Sequence, residues 1–268
     1  LLTVKVGNAR SGKDLRERLG SDKCRRVGDA VNLDEYSDIF AERGAAYHTA
    51  MQRQPDARNT EFEALFVHHP VGSGKSLLDV PAGGGYLARR LPKGVTITEL
   101  ELTKGFTPHL RVVPTYGNWD VGKFDHTVCL AALHHIQEQD QFVAQLAQHT
   151  KPGGFIHLAD ADITQPIATF LDGFVGLFNI TGHYGKYINS DSFASISGTK
   201  RIASEIRACP WRFANEELAL DFAADLFGLA NYPRAEFRNT VRQLVGMREE
   251  GGAVLLDWKL RYVDLRVI

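Results

Sequence analysis

Cysteine is scarce: Cys24, Cys129 and Cys209 are the only three in 268 residues, scattered and odd in number. That count and spacing exclude a disulfide framework and a paired-cysteine metal site. No apolar run approaches the roughly 20 residues of a membrane-spanning helix, and the first residues lack a signal-peptide pattern. An excess of one charge is missing as well. The 31 basic and 32 acidic residues leave a formal net charge of -1, so no global field draws the chain to nucleic acid or to an anionic membrane. Internal repeats and low-complexity linkers are absent. These absences leave the expectation of a cytoplasmic, reducing setting. The composition is that of a globular protein, 44% hydrophobic and 24% charged, at a length that buries a substantial core.

What is present divides into stretches of different pattern. Residues 1 to about 25 are glycine- and charge-rich. There Arg10, Lys13, Arg16, Arg18, Lys23, Arg25 and Arg26 are partly offset by Asp14, Glu17 and Asp22, which reads as a solvated arm rather than a polyanion-binding patch. Over residues 32–66 the pattern turns helical, with Tyr36, Ile39, Phe40, Tyr47, Met51, Phe62, Leu65 and Phe66 as its apolar positions and a break at Pro55. Arg43 and Tyr47 stand one turn apart there, and Arg43 reads as an exposed charge. From residue 77 to about 160, strands and helices alternate as in a parallel sheet covered on both faces. Residues 163–188 are rich in aromatics and glycine, 216–229 and 237–247 read as amphipathic helices, and 253–263 as one strand. The expected organisation is an arm and helical cap over 1–70 and a catalytic core over 71–268, with a lid at about 163–205.

The most informative stretch is Ser76-Leu77-Leu78-Asp79-Val80-Pro81-Ala82-Gly83-Gly84-Gly85-Tyr86-Leu87. An apolar strand ends in an acid, a glycine turn succeeds it, and Leu87 to Leu91 reads as a helix start, which together form a nucleotide-type cradle. Three cradles compete. Gly72-Ser73-Gly74-Lys75-Ser76 imitates a P-loop, but His69 stands where the earlier glycine belongs and a strand comes next instead of a helix. Gly83-x-Gly85-x-x-Ala88 fits the loose dinucleotide fingerprint, with Glu99 or Glu101 available to a ribose. Asp79-x-x-x-Gly83-x-Gly85 resembles the first motif of the class I S-adenosylmethionine-dependent methyltransferases, with Pro81 replacing that motif's first glycine. The downstream residues favour the third. Phe124-Asp125 opens an apolar strand that ends in Leu133-His134-His135. A helical stretch comes next, and then Lys151-Pro152-Gly153-Gly154 before another apolar strand that ends at Asp160. This succession, over residues 76–160, resembles the core of small-molecule methyltransferases.

The resemblance implies a Rossmann-like, doubly wound α/β fold. Its mostly parallel, seven-stranded sheet would have an antiparallel last strand, here supplied by the end of the chain, which is expected to be complete there. An N-terminal helical cap and an inserted lid would cover it. The implied cofactor is S-adenosylmethionine, positioned by Asp79, Ala82, Gly83 and Gly85, with Tyr47 from the cap. Glu99 would hold the ribose, or Glu101 if the strand ends two residues later. Leu100, Asn118, Trp119 and Ala131 would complete the adenosine contacts, although Trp119 reads equally well as a core tryptophan. His134 and His135 fall just past the fourth strand, where imidazole serves as a general base near neutral pH. His134 is favoured, with Asp160 to orient it. Phe174, Phe178, His183, Tyr184 and Tyr187 would line an apolar substrate pocket. No metal is expected, because no Glu-x-x-His or similar spacing accompanies the histidines. Leu130-Ala131-Ala132-Leu133 stands where nucleic-acid amino-methyltransferases carry a proline-rich tetrapeptide, which argues against a nucleic-acid substrate. The expected activity is methyl transfer to a hydroxyl of a small natural-product-like or aromatic metabolite, by a monomer or homodimer. The alternative, motivated by Pro81, is a protein that binds the cofactor but guides another reaction such as a cyclisation.

Overall fold

A computed structural model describes residues 35–106 and 109–268; the basic arm lies outside them. Helix α1 (Tyr36–Arg53) buries Tyr36, Ile39, Phe40, Arg43, Gly44, Ala50 and Met51, a stripe at helical spacing. It stops at Gln54, whose φ of -131° and ψ of 67° lie outside the helical region, which the following Pro55 disfavours for the residue before it. A short helix α2 (Asn59–Ala64) leads into the sheet. Among the described residues no helix is long and apolar enough to cross a membrane.

The sheet contains β1 (Ser76–Asp79), β2 (Thr96–Glu101), β3 (Arg111–Val112), β4 (Phe124–Leu130), β5 (Thr150–Asp160), β6 (Thr199–Ala208) and β10 (Lys259–Val267). Their order across it is β3-β2-β1-β4-β5-β10-β6. β1, β2, β3, β4 and β5 pair in parallel, whereas β10 runs antiparallel to both β5 and β6. This is the doubly wound fold with an antiparallel final strand that the sequence predicts. Strand alternation sorts neighbours onto opposite faces. Leu77, Val128, Ala159 and Tyr262 join one hydrophobic cluster, and Leu78, Cys129, Leu158 and Val263 the other.

The glycine turn is followed by a single 3-10 turn, Leu87–Arg90, in place of the expected helix start. Pro92 explains the stop, since Leu91 before it is extended at φ -81° and ψ 147°. Helix α3 (Gln139–Gln148) separates β4 from β5. After β5, helix α4 (Pro166–Phe170) passes into a π turn, Leu171–Val175. Residues 199–205, expected at the end of the lid, belong to strand β6 of the sheet.

Past β6, β7 (Trp211–Phe213), β8 (Met247–Glu250) and β9 (Ala253–Leu256) form a second, antiparallel sheet in the order β7-β9-β8. The stretch expected as one strand over 253–263 is therefore two, β9 and β10, in different sheets. The break falls at Asp257, whose N–H donates to the Gly246 carbonyl at 3.0 Å and whose carboxylate takes Arg248 at 2.8 Å. Helix α5 (Glu216–Leu226) begins under an Asn215 cap that accepts from the Leu218 N–H at 2.9 Å, with Glu216 and Glu217 in its first turn. It lies against α1. Helix α6 (Arg234–Thr240) runs into a π turn at Val241–Val245.

Candidate active site

The carboxyl ends of β1, β4 and β5 open into a buried cavity, the place where ligands bind in doubly wound sheets. Its floor is Asp79, Ala82, Gly83, Ala131, His134 and Asp160; its roof is Tyr36, Phe40, Arg43 and Tyr47 from α1. A third wall comes from the far end of the chain, where the Trp211 and Trp258 rings stack at 4.3 Å beside Phe227.

The glycine turn is built by backbone conformation. Gly83, Gly84 and Gly85 have φ of 57°, 95° and 82°, three left-handed residues in succession that only glycine adopts without strain. A Cβ on Gly84 would lie 2.9 Å from the Tyr86 ring, and one on Gly85 3.1 Å from the Glu99 carboxylate. The Ala82 N–H donates to the Leu100 carbonyl at 2.9 Å, which is the structural use of Leu100; its side chain is buried in the core behind the turn.

Strand β2 runs to Glu101, and the two candidate acids differ. Glu101 is buried and accepts from the N–H groups of Gly83 and Leu102, each at 2.8 Å. Glu99 sits under Gly85, half-buried, with Oε1 unpartnered among the described residues. Burial raises Asp79 well above the carboxylate range, and Glu99 and Glu101 add to the shift. Burial likewise raises Glu99, and pushes Glu101 up to about 7. Three crowded acids oppose a phosphate-bearing nucleotide and suit a ligand that brings hydroxyls and positive charge.

His134 and His135 follow β4 in a short 3-10 turn. Asp160, at the end of β5, accepts from His134 Nδ1 at 2.6 Å, from the His134 N–H at 3.0 Å and from the Ala161 N–H at 2.6 Å. With Nδ1–H committed to the acid, Nε2 of His134 carries the free lone pair. His135 has no such acid, and its Nδ1 is buried without a partner among the described residues. Burial first, then His134, His183 and Arg43, lower its pKa far below the ordinary value.

His183 is the lid residue that reaches this cluster. Its ring lies 5.4 Å from that of His134 and 4.9 Å from that of His135. Asp172 of the π turn takes its Nδ1 at 3.2 Å and the Tyr187 hydroxyl at 2.5 Å. The three imidazoles bring ligand atoms within 4.8 Å of one another, a grouping that the sequence spacing does not announce.

Other expected residues stand elsewhere. Tyr187 stacks behind His134 at 5.9 Å without lining the cavity. Phe174 and Phe178 contact each other at 4.6 Å, and Phe174 packs on Phe237 at 5.4 Å; Phe174 is buried in the core, and the partly buried Phe178 packs against it. Tyr184 is exposed. Asn118 is also exposed, and its side chain closes a turn by accepting from the Asp120 N–H at 2.9 Å. Trp119 is fully buried away from the cavity, donating to the Pro114 carbonyl at 2.9 Å and stacking on His149 at 5.1 Å. Asn118 and Trp119 thus serve a turn and the core.

The largest correction is Arg43, read from sequence as an exposed charge. It is 3% exposed and lines the cavity. Nη2 donates to the Leu226 carbonyl at 3.3 Å, while Nε and Nη1 have no partner among the described residues. Arg58, unmentioned at the sequence level, is buried as well but neutralised: it forks onto Glu61, bonds the Tyr47 hydroxyl, and Glu61 also accepts from Trp211 Nε1 at 2.6 Å. The Arg58-x-x-Glu61 spacing, with Arg58 at the N-cap of α2 and Glu61 in its first turn, was the available signal for that pair.

Comparison with known proteins bears on the same segment. A methyltransferase domain family matches residues 78–158. The chain is 22% identical over 186 residues to a ubiquinone biosynthesis O-methyltransferase of Rickettsia typhi, across 61% of this chain and 75% of that one. It is 32% identical over 100 residues to the enzyme of the same name from Escherichia coli, across 30% and 40% of the two chains. Among solved structures, a candidate methyltransferase from Bacillus halodurans superposes with a TM-score of 0.52 at 16% identity, over 77% of this chain and 98% of that one. Coclaurine N-methyltransferase, bound to N-methylheliamine and S-adenosylhomocysteine, superposes with a TM-score of 0.53 at 10% identity, over 78% and 70%.

Proposed function

We propose that the chain, whose residues 78–158 match a methyltransferase domain family, transfers a methyl group from S-adenosylmethionine to a hydroxyl of a small, largely apolar acceptor. The carrying observation is the His134–Asp160 pair at 2.6 Å, on the wall of the cavity that the glycine turn also lines. The acids beneath the turn fit the cofactor, whose ribose hydroxyls and ammonium group complement carboxylates.

Bound S-adenosylmethionine supplies an electrophilic methyl on a sulfonium. The chain's residues do the rest. Gly83 and the ends of β1 and β2 would hold the donor, with Glu101 as the residue that would take its ribose. The aromatic roof and the Trp211–Trp258 wall exclude water. His134 Nε2 accepts the acceptor's hydroxyl proton, and Asp160 holds the ring in the required tautomer and stabilises the imidazolium.

His134→Ala should lower kcat by roughly 10²–10⁴ and leave the affinity for S-adenosylhomocysteine unchanged by calorimetry. Asp160→Asn should give a smaller loss, and His134→Ala combined with it little further loss, since groups acting as a unit are not additive. Near-normal turnover of both His134→Ala and His135→Ala would remove the base from the mechanism. Cofactor binding without label transfer to any of a panel of phenols, sugars and polyketides would favour a guiding role such as cyclisation over transfer.

A further inference from the structure

The guanidinium of Arg43 is held in place without being neutralised. Its Cζ lies over the Phe40 ring at 5.2 Å. On another side it meets Gly228, where φ is +60° and an added Cβ would come within 3.2 Å of its Cγ and Nε. The Phe40 ring in turn meets His135 edge-on at 6.0 Å, so Arg43, His135 and His183 line one end of the cavity. Of the two arginines that line it, Arg58 has Glu61; Arg43 has no carboxylate within hydrogen-bond reach among the described residues. A buried, fixed and uncompensated cation is costly unless a ligand supplies the opposite charge.

We propose that Arg43, together with His135 Nδ1, receives a carboxylate of the acceptor, so that the natural acceptor is a hydroxylated organic acid. This rests on the methyl-transfer reading and adds the acceptor's class to it. Both groups offer unpartnered buried nitrogens, and a guanidinium can meet a carboxylate through two parallel hydrogen bonds. The same charge argues against a metal ion among the three imidazoles. Arg43 already depresses the proton affinity of His135 and His183, and a cation there would meet that field. Burial lowers Arg43 itself to about 10, the direction that an anion would reverse.

The test is thermal shift and calorimetry on the full chain, with and without S-adenosylhomocysteine. The probes are salicylate, 4-hydroxybenzoate and 3,4-dihydroxybenzoate, each against its neutral amide. Expected for the wild type is a larger melting-temperature rise with at least one acid than with its amide. Arg43→Gln should abolish that difference, Arg43→Lys should keep part of it, and His135→Gln should reduce it. Ligand-free Arg43→Gln should melt at or above the wild-type temperature, since it removes an unpaired buried charge. Equal responses to acids and amides across the panel, no response to any of them, or a difference that survives Arg43→Gln overturns the proposal. So does a fall of several degrees in ligand-free Arg43→Gln, the mark of a structural role. An Arg43→Gln protein that binds S-adenosylhomocysteine about tenfold more weakly but 5′-methylthioadenosine normally would assign the carboxylate to the cofactor and also overturn it. Wild-type failure to bind S-adenosylhomocysteine would sink the methyl-transfer reading separately, because the acid–amide arms are read with or without it.

Discussion

Asp79, Glu99 and Glu101 share the space under the glycine turn, and burial favours the protonated form of each. A ligand whose hydroxyls bond to Glu101 prefers the carboxylate, so with a free-protein value of about 7 cofactor affinity should rise as pH is raised from 6 to 8 and fall as pH is lowered through 7. Calorimetry with S-adenosylhomocysteine across that range checks the sign, and Glu101→Gln should flatten the profile while weakening binding by at least about tenfold. Should the loss appear in Glu99→Gln instead, the unpartnered Glu99 oxygen is the ribose acceptor. The choice between these acids was not legible in the sequence. Both obey the same alternation and face the same side of β2, and only the strand's end point and the bonds to Gly83 and Leu102 separate them.

At the scale of elements, the roof is set by a backbone crossing. A Cβ on Gly44 would come within 2.4 Å of the Gly105 backbone, and one on Gly105 within 1.8 Å of the Phe40 carbonyl. Helix α1 and the chain after β2 therefore touch where neither can carry a side chain. Gly44→Ala or Gly105→Ala should lower the melting temperature by several degrees and weaken cofactor binding, because the clash lifts Tyr36 and Phe40 off the cavity. Unchanged melting and affinity in both variants would mean that the crossing is loose. Such contacts explain which elements the sequence revealed. The turn from Asp79 to Gly85, the histidines after β4 and the acid ending β5 are local properties of strand ends, so motif and periodicity find them. The burial of Arg43 depends on α1 meeting α5, as its bond to Leu226 across 183 positions shows. The wall of Trp211 and Trp258 depends on a second sheet whose short strands carry no distinctive period. The change of sheet between β9 and β10 was hidden because apolar residues continue on both sides of Asp257.

The whole molecule carries a store of buried imidazoles. His126 and His157 face each other at 2.9 Å, with Asp264 beyond at 2.8 Å. Burial, with His157 adding to it, lowers His126 to about 4, and burial lowers His183 to about 4; burial also lowers His135 well below its ordinary value. Unfolded imidazoles take up protons below about 6.5, whereas His126 and His183 resist until near 4. Stability from this source is complete above 6.5 and is lost as pH falls towards 4. Asp79, Glu99 and Glu101, raised by burial, pull the other way over the same range, so the check is differential: by scanning calorimetry the wild-type melting temperature should fall relative to that of His126→Gln as pH is lowered from about 6.5 to about 4.5, and parallel profiles would contradict the burial of neutral histidine.

Strand β10 enters the sheet between β5 and β6, although it comes last in the chain. On a ribosome, β6 has no neighbour to pair with until residues 259–267 have emerged. Leu260 and Trp258, which line the cavity, arrive with them. A nascent chain halted before this point can hold the glycine turn and both histidines and still have no enclosed site. Closure of the cavity therefore waits for residues 258–267, and until they arrive β5 and β6 are open edges for chaperones or for other nascent copies.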